Sequence, residues 1–448
     1  MDAMTGQRRA DDGRDARKDG DDRDRDRGKA GVRDMEDTER GAESRGAFER
    51  VEVSREIFGN GENLLIRGDI RALPKEISRL AGQAQCVYLD PPFMTGEKFT
   101  RTRPWGSKGW RRGTPQIRLP SYEDQAGDEK AYIRLLTRMI RVGRKMLNET
   151  GVFCLHLDWR MSARARLICD QVFGRELFLN EIIWSYESGG RSKKTFSRKH
   201  ETILMYAKTA KYRFDITRVP LARKDVRKNH MARGIDEDGR MYSKIVTGGK
   251  EYRYYDDEPV YPGDVWTDIS HLQQRDPERT GYPTQKPMKL MERLLLPVTR
   301  EGDLVMDLCC GSGTTLAAAQ KLGLRFAGMD ASPEAVAVSL SRLRTENLTV
   351  ICPGGDCGEP LIREADGRFE LEGLHSGNSA FPTGGSPLDA VEAWDIGRVE
   401  NGSLIAERRY QRSFRYPELV SSLAAEAGAI EAILITDAAG QRAVYQRR

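Results

Sequence analysis

The chain has 448 residues, 38% of them hydrophobic, and a formal net charge of +5. That length accommodates two or three domains, and the composition supplies a buried core. No apolar run approaches the ~20 residues a membrane span needs, and the polar N-terminus shows no apolar signal segment, so a cytoplasmic protein is the default.

Seven cysteines lack a C-x-x-C pair and five histidines lack a zinc-type pair, so neither a disulfide frame nor a metal is expected. Charge is unevenly placed: Lys193 to Lys228 holds twelve Lys/Arg against three Asp/Glu. Such a stretch suits a polyanion, or else a solvated face.

In chain order, residues 1–46 mix both charges with almost no apolar residues and read as a disordered tail. Order is expected from near Arg50. ENLLIRGDI and QCVYLDPPF read as short buried strands with the helical ALPKEISRLA between them, the β-α-β rhythm of a parallel sheet. Residues 94–125 are polar and rich in Gly, Pro, Arg and Trp, and read as a long functional loop. AYIRLLTRMIRVGRKML is helical, GVFCLHLD a strand, SARARLICDQVFG a helix, and LFLNEIIWSYE and HETILMYAK strands, which completes a first half over 47–207.

Residues 208–265 break the rhythm. They are basic, rich in Tyr and Gly, and read as a recognition region. Over 266–348 the rhythm returns: PTQKPMKLMERLLLPV is a helix with Pro287 in its first turn, and then come strand, glycine loop, helix, strand, acid and helix. Residues 349–448 read as a small α+β domain, with PELVSSLAAEAG as a helix and IEAILITDAAGQRAVYQ as a hairpin.

The glycine loop is DLCCGSGTT. A P-loop would end in Gly-Lys-Ser/Thr, and there is no lysine here. A dinucleotide fingerprint would carry a third Gly or Ala where Leu316 stands. A nucleoside cofactor without phosphates fits better. Gly311 and Gly313 permit a tight turn and close approach. Asp307 can meet an amine, and Asp330, 23 residues later, can accept ribose hydroxyls. Two acids favour a cationic nucleoside, and S-adenosylmethionine (SAM) is the obvious one.

In VYLDPPF a strand ends in Asp90. Pro91 and Pro92 fix φ and remove two N–H donors, which leaves a carboxylate and carbonyls as a cradle of acceptors. Phe93 adds a stacking face. Such a cradle suits a planar NH₂ group, whose lone pair is delocalised into its ring until both N–H bonds are held. The same pieces without chemistry would be a stiff strand-ending turn.

Taken together, VYLDPPF, PTQKP and DLCCGSGTT with GMD resemble the β-class DNA amino-methyltransferases, the N6-adenine and N4-cytosine group, over roughly residues 50–345. GVFCLHLD, the CDQVFG helix, NEIIWSYESGG and KHETILMYAK are most similar to modification subunits of type III restriction systems and their solitary relatives. The resemblance implies an α/β fold: a Rossmann-like, seven-stranded, mostly parallel sheet with flanking helices. It implies Asp90, Pro91, Pro92 and Phe93 as catalytic residues. It implies SAM bound by Asp307, Gly311, Gly313, Thr314 and Asp330, with Thr284, Gln285 and Lys286 closing over it.

One departure is Leu308 and Cys309, where the family often has Pro and Phe or Cys. These are apolar replacements, so cofactor binding should survive, and Cys309 and Cys310 should pack rather than react.

The implied substrate is double-stranded DNA, acted on at the nucleoid, and a flipped base requires grip on the backbone. Trp105, Trp110, Arg111 and Arg112 in the loop, and Lys193, Lys194, Arg198, Arg223 and Lys224 in the basic region, are the candidates. A homodimer and a restriction subunit are the protein partners the resemblance admits.

A ring-carbon methyltransferase would need a Pro-Cys nucleophile, and the chain offers only Cys352-Pro353, reversed and misplaced. Asp rather than Asn before Pro-Pro fits protein-glutamine methylation poorly. The reading is transfer to adenine N6. The alternatives are cytosine N4, an inactive DNA-binding relative, and an RNA methyltransferase.

Overall fold

A strand that is almost wholly apolar has two faces to hide. Every residue of the strand Ala84–Leu89 is buried, as expected for a parallel sheet covered on both sides. The structure is a computed structural model that describes residues 48–448 apart from 97, 113–115, 124–127, 188–191, 223–230, 274–275, 344–345, 356, 366–367, 384, 414–415 and 425–428. The side chains of 98, 110, 112, 120–123 and 365 are also outside it, and so is the tail read at residues 1–46.

Seven helices accompany the sheets among the described residues: α1 Lys75–Ser78, α2 Gly106–Arg112, α3 Glu129–Met146, α4 Ser162–Phe173, α5 Met288–Leu295, α6 Thr314–Lys321 and α7 Pro333–Arg342. None is long and apolar enough to cross a membrane.

Ala84–Leu89 sits centrally, parallel to Leu304–Asp307 on one side and to Leu147–Leu157 on the other. Beyond Leu304–Asp307 run Arg325–Asp330, Asn63–Arg67 and Asn347–Ile351, all parallel. Beyond Leu147–Leu157 come His200–Ala207, antiparallel to both its neighbours, and then Phe178–Ser185 and Val265–Trp266.

Cys86 and Tyr88 point to one core with α5, α6 and α7. Val87 and Leu89 point to the other with α3 and α4. Helix α3 is explained by its sequence: Tyr132, Leu136, Met139, Ile140, Gly143 and Met146 are buried at helical spacing, and the Asp128 carboxylate caps it by accepting from the Lys130 N–H.

The expected seven strands are part of a larger sheet. Arg55–Gly59 pairs with Asn347–Ile351 on one side and with Ser403–Gln411 on the other. From there Val391–Glu400, Ala432–Asp437, Arg442–Arg447 and Phe48–Val51 continue antiparallel. Among the described residues the sheet therefore has fifteen strands.

The hairpin expected near the C-terminus is present as Ala432–Asp437 and Arg442–Arg447. The helix expected at PELVSSLAAEAG is absent from its described residues, 417–424. Leu419 is buried in this part of the core. The Ser421 carbonyl accepts from the Leu371 N–H, the Val420 carbonyl accepts from the Trp394 indole, and Ser422–Ala424 is a strand. Tertiary bonds override the local helix propensity.

The long polar stretch after Phe93 is also not a loop. It is a hairpin, Lys98–Pro104 against Gln116–Glu123, with α2 between its strands. Trp105, Ile117 and Leu119 anchor it in the C-terminal core, and Arg103 meets Glu392 at 2.6 Å with both side chains buried. Part of the 208–265 stretch forms a separate antiparallel sheet, Ala232–Ile235, Met241–Thr247 and Lys250–Tyr255. Gly248 and Gly249, both at positive φ, make its tight turn.

Candidate active site

Parallel strands end together. Asp307 lies opposite Tyr88 and Gly328 in register, so Asp90, Asp307 and Asp330 emerge from three neighbouring strands at one edge. This is the edge where open α/β sheets bind ligands.

Asp90 is held from below. Its Oδ2 accepts from the Lys286 Nζ at 2.7 Å. The same ammonium lies 3.6 Å from Glu201 Oε2 and 5.2 Å from the centre of the Phe93 ring. Glu201 Oε2 sits 2.7 Å from His156 Nε2, and His156 Nδ1 is 2.7 Å from the Tyr88 hydroxyl.

Burial pushes the Tyr88 phenol well above its ordinary value, so it stays neutral. The other ring nitrogen of His156, Nε2, faces Glu201. Burial alone would raise the Glu201 carboxyl, but the Lys286 ammonium and the His156 ring outweigh it and hold it at about 2.

The cradle is narrower than the sequence suggests. The Tyr132 hydroxyl donates to the Pro92 carbonyl at 2.5 Å. The Asp90 carboxylate and the Pro91 carbonyl are thus the acceptors to consider, and Tyr132 fixes the loop that presents them.

On the glycine-loop side, Asp330 Oδ2 accepts from the Gly311 N–H and Oδ1 from the Ser332 N–H, each at 2.9 Å. Gly311 has φ +49, and a Cβ there would come within 3.2 Å of the Tyr282 ring. Burial pushes the Asp307 carboxyl up to about 7, against the pull of the Thr315 hydroxyl and the Cys309 N–H. Burial likewise raises Asp330.

Burial, with the nearby carboxylates, also drives the Cys309 and Cys310 thiols well above their ordinary value, so they are not nucleophiles. Thr314 donates to the Lys286 carbonyl at 3.1 Å, which ties α6 to the segment that carries the lysine.

A cavity of about 450 Å³ joins the two halves. Asp90 to Phe93, Thr284, Lys286, Asp307, Gly311, Thr314 and Asp330 all line it. Two desolvated acids in one cavity suit a cationic, hydroxyl-bearing ligand, so the donor set fits a SAM-like nucleoside.

Two expected cofactor residues have other work. Gly313 caps α6 at φ +72, where a Cβ would meet Ser339 Oγ at 2.5 Å, so it serves helix packing. Gln285 turns away: its Oε1 accepts from the Thr280 N–H at 2.7 Å and its Nε2 donates to the Glu278 carbonyl at 2.8 Å.

His156, Glu201, Tyr88 and Tyr132 are additions to the site. For His156 and Glu201 the signal is a His or Glu set in an otherwise apolar strand, since a buried polar group needs a partner.

The nucleic-acid candidates divide. Trp105 is 5% exposed and packs on Phe381 in the C-terminal core, so it cannot reach a base. Arg111 is exposed and pairs with Glu418 at 2.6 Å. Arg223 and Lys224, and the side chains of Trp110 and Arg112, lie outside the described residues.

Lys193 and Lys194 are exposed, and the Arg198 guanidinium stacks 3.8 Å over the Trp159 ring. Other basic residues of the run are turned inward: Lys208 donates to the Arg144 carbonyl, Arg213 pairs with Asp303, and Arg218 donates to the Leu296 carbonyl. The separate three-stranded sheet is not basic either. Residues 232–258 hold five Lys/Arg against seven Asp/Glu, with Arg233, Arg240 and Lys244 in ion pairs.

The model of the N6/N4 DNA methylase family matches residues 84–341. Type II methyltransferase M.EcaI of Enterobacter cloacae is 26% identical over 298 residues, 56% of this chain and 62% of that protein. DNA adenine methyltransferase YhdJ of Escherichia coli (strain K12) is 27% identical over 288 residues, 64% of this chain and 84% of that one. The type III restriction-modification enzyme EcoPI Mod subunit of Escherichia phage P1 is 26% identical over 173 residues, 36% of this chain and 27% of that subunit.

Among solved structures, PvuII DNA methyltransferase (cytosine-N4-specific) aligns at a TM-score of 0.41 and 16% identity, over 66% of this chain and 92% of that one. The chain thus spans less than two thirds of M.EcaI. The family match runs from the strand that carries Asp90 to the helix that follows Asp330, over more than half of the residues, and the chain belongs to the N6/N4 DNA methylase family.

Proposed function

We propose that the protein transfers a methyl group from SAM to the exocyclic amine of a base flipped out of double-stranded DNA, adenine N6 in preference to cytosine N4. The observation that carries this reading is one cavity lined by both the Asp90–Pro91 acceptors and the Asp307–Asp330 acids. SAM, the methyl source of this family, supplies an electrophilic methyl group on a sulfonium when bound.

The chain's own residues do the rest. Asp307 and Asp330 hold the ammonium and the ribose. The Asp90 carboxylate and the Pro91 carbonyl accept the two amine N–H bonds, and Phe93 stacks on the base. With its N–H bonds held, the nitrogen turns its lone pair out of the ring system. Bound SAM would supply its methyl group to that lone pair, the electron pair of the methyl–sulfur bond staying on sulfur. The proton then shed by the nitrogen passes to Asp90, the nearest carboxylate, and on to water. Positioning of this kind supplies ~7–11 kcal/mol of barrier reduction, and Asp90 disperses the charge that develops on nitrogen.

Adenine is favoured by the Asp before Pro-Pro and by the similarity to a protein named as a DNA adenine methyltransferase. The test is transfer from tritiated-methyl SAM to unmodified duplex DNA, followed by nucleoside analysis. N6-methyladenine is expected. N4-methylcytosine as sole product would refute the base assignment, and SAM binding without transfer would indicate an inactive relative.

A further inference from the structure

The loop between the strands Phe178–Ser185 and His200–Ala207 carries an aromatic ring that the site described above does not use. Phe196 is 99% exposed, more than any other large apolar side chain described. A ring left wholly in water forgoes the stabilisation of burial, so its position needs a reason.

The loop that presents it is built. Its base is closed by the Tyr186 N–H and the Ser185 hydroxyl, which both donate to the Lys199 carbonyl at 3.0 and 3.2 Å. Its tip is folded on Ser192: the Ser192 N–H donates to Ser197 Oγ at 3.1 Å, and Ser192 Oγ accepts from the Thr195 N–H at 3.1 Å.

The surroundings point to a polyanion with flat rings. Lys193 and Lys194 are exposed beside Phe196. Arg198 stands over Trp159, itself 42% exposed just past the strand Leu147–Leu157. The location is close to the chemistry. Glu201 Oε2 is 3.6 Å from the Lys286 Nζ, which is 2.7 Å from Asp90. Five residues of extended chain span at most about 17 Å, and Phe196 sits in the loop that leads directly into the strand whose Glu201 faces Lys286.

We propose that Phe196 enters the base stack beside the target and fills the gap left by the extruded base, with Lys193, Lys194 and Arg198 on the flanking phosphates. The inference rests on the DNA methylation reading given above. Apolar wedges of this kind unstack one base step and stabilise a distorted duplex.

The test compares the full-length wild type with Phe196→Ala and Phe196→Trp on two duplexes that contain the methylated sequence found in host DNA. In one the target is normally paired; in the other it faces an abasic site and is already loose. On the paired duplex, Phe196→Ala should lose roughly tenfold or more in transfer, because the cost of opening a paired base is no longer offset. A 2-aminopurine at the target should give a smaller fluorescence rise. On the abasic duplex most of the loss should be recovered, and Phe196→Trp should retain transfer on both.

Equal losses on the two duplexes, or no loss on the paired one, would overturn the wedge while the DNA reading stands. No transfer by the wild type to either duplex would overturn both.

Discussion

Lys286 reaches across 196 positions of sequence to place its ammonium 2.7 Å from the Asp90 carboxylate. The two residues belong to opposite halves of the methylase core, so the acceptor is set only when the halves are assembled. Both side chains are largely buried, at 9% and 16% exposure.

Removing either member should therefore be costly. Lys286→Met keeps the bulk and deletes the charge. Methyl transfer should fall roughly 10²-fold, and stability by ~3 kcal/mol, because Asp90 and Glu201 lose a buried partner. Asp90→Ala should lose a similar factor in rate while SAM still binds. Single-turnover kinetics and urea unfolding measure both effects, and near-wild-type turnover in either variant would contradict the roles assigned.

Glu201 gives a pH test of the same chain of groups. Its folded value, about 2, lies below the ordinary 4.5. Its ionised form therefore stabilises the fold fully above pH 4.5, and that stabilisation fades as the pH falls toward 2. By linkage the contribution at neutral pH is on the order of 3 kcal/mol. The gap in unfolding free energy between the wild type and Glu201→Gln should be widest at pH 7 and less than half as wide at pH 3. A gap independent of pH would remove the Lys286–Glu201–His156 contact from the account.

Asp307 titrates near neutrality, at about 7, because it is buried. A ligand ammonium prefers the ionised form, so cofactor affinity should rise with pH. Between pH 5.5 and 7 the ionised fraction grows from about 3% to about 50%, roughly sixteenfold, while an α-amine still keeps its proton below about 7.7. Calorimetric titration with SAM should show Kd falling by that factor. In Asp307→Asn binding should be weaker and flat with pH, and a flat wild-type profile would argue that Asp307 does not meet the amine.

Residues 349–448 were read from the sequence as an accessory domain, yet their strands extend the methylase sheet and their core holds the hairpin after the catalytic loop. Truncation at residue 352 should give a chain without a cooperative urea transition. Glu392→Gln should destabilise by ~3–5 kcal/mol by orphaning the buried Arg103. A truncated chain that folds and binds SAM like the full one would show the sheet to be dispensable.

These cases show what could be read early. Asp90 and Gly311 sit in short local patterns whose chemistry is complete within a few residues. The hairpin over residues 98–123 is held by Arg101 and Arg103, whose partners Glu334 and Glu392 lie more than two hundred positions away. Arginine normally signals solvent, so this stretch read as a loop. Trp105 reads as a base contact in sequence for the same reason: its partner Phe381 is equally distant. The segment around Leu419 has genuine helical spacing, and the Trp394 indole, the Leu371 N–H and the pairing of Ser422–Ala424 with Arg368–His375 pull it straight.

The Asp330 carboxylate already holds the Gly311 and Ser332 amides at 2.9 Å each. The glycine loop is therefore held in shape by a carboxylate of the chain itself, and little ordering remains to weaken affinity. Redesign of the pocket for bulkier sulfonium analogues should leave that clamp alone. The place to enlarge is the opposite wall, where the Tyr282 ring sits 3.2 Å from the position a Gly311 side chain would take.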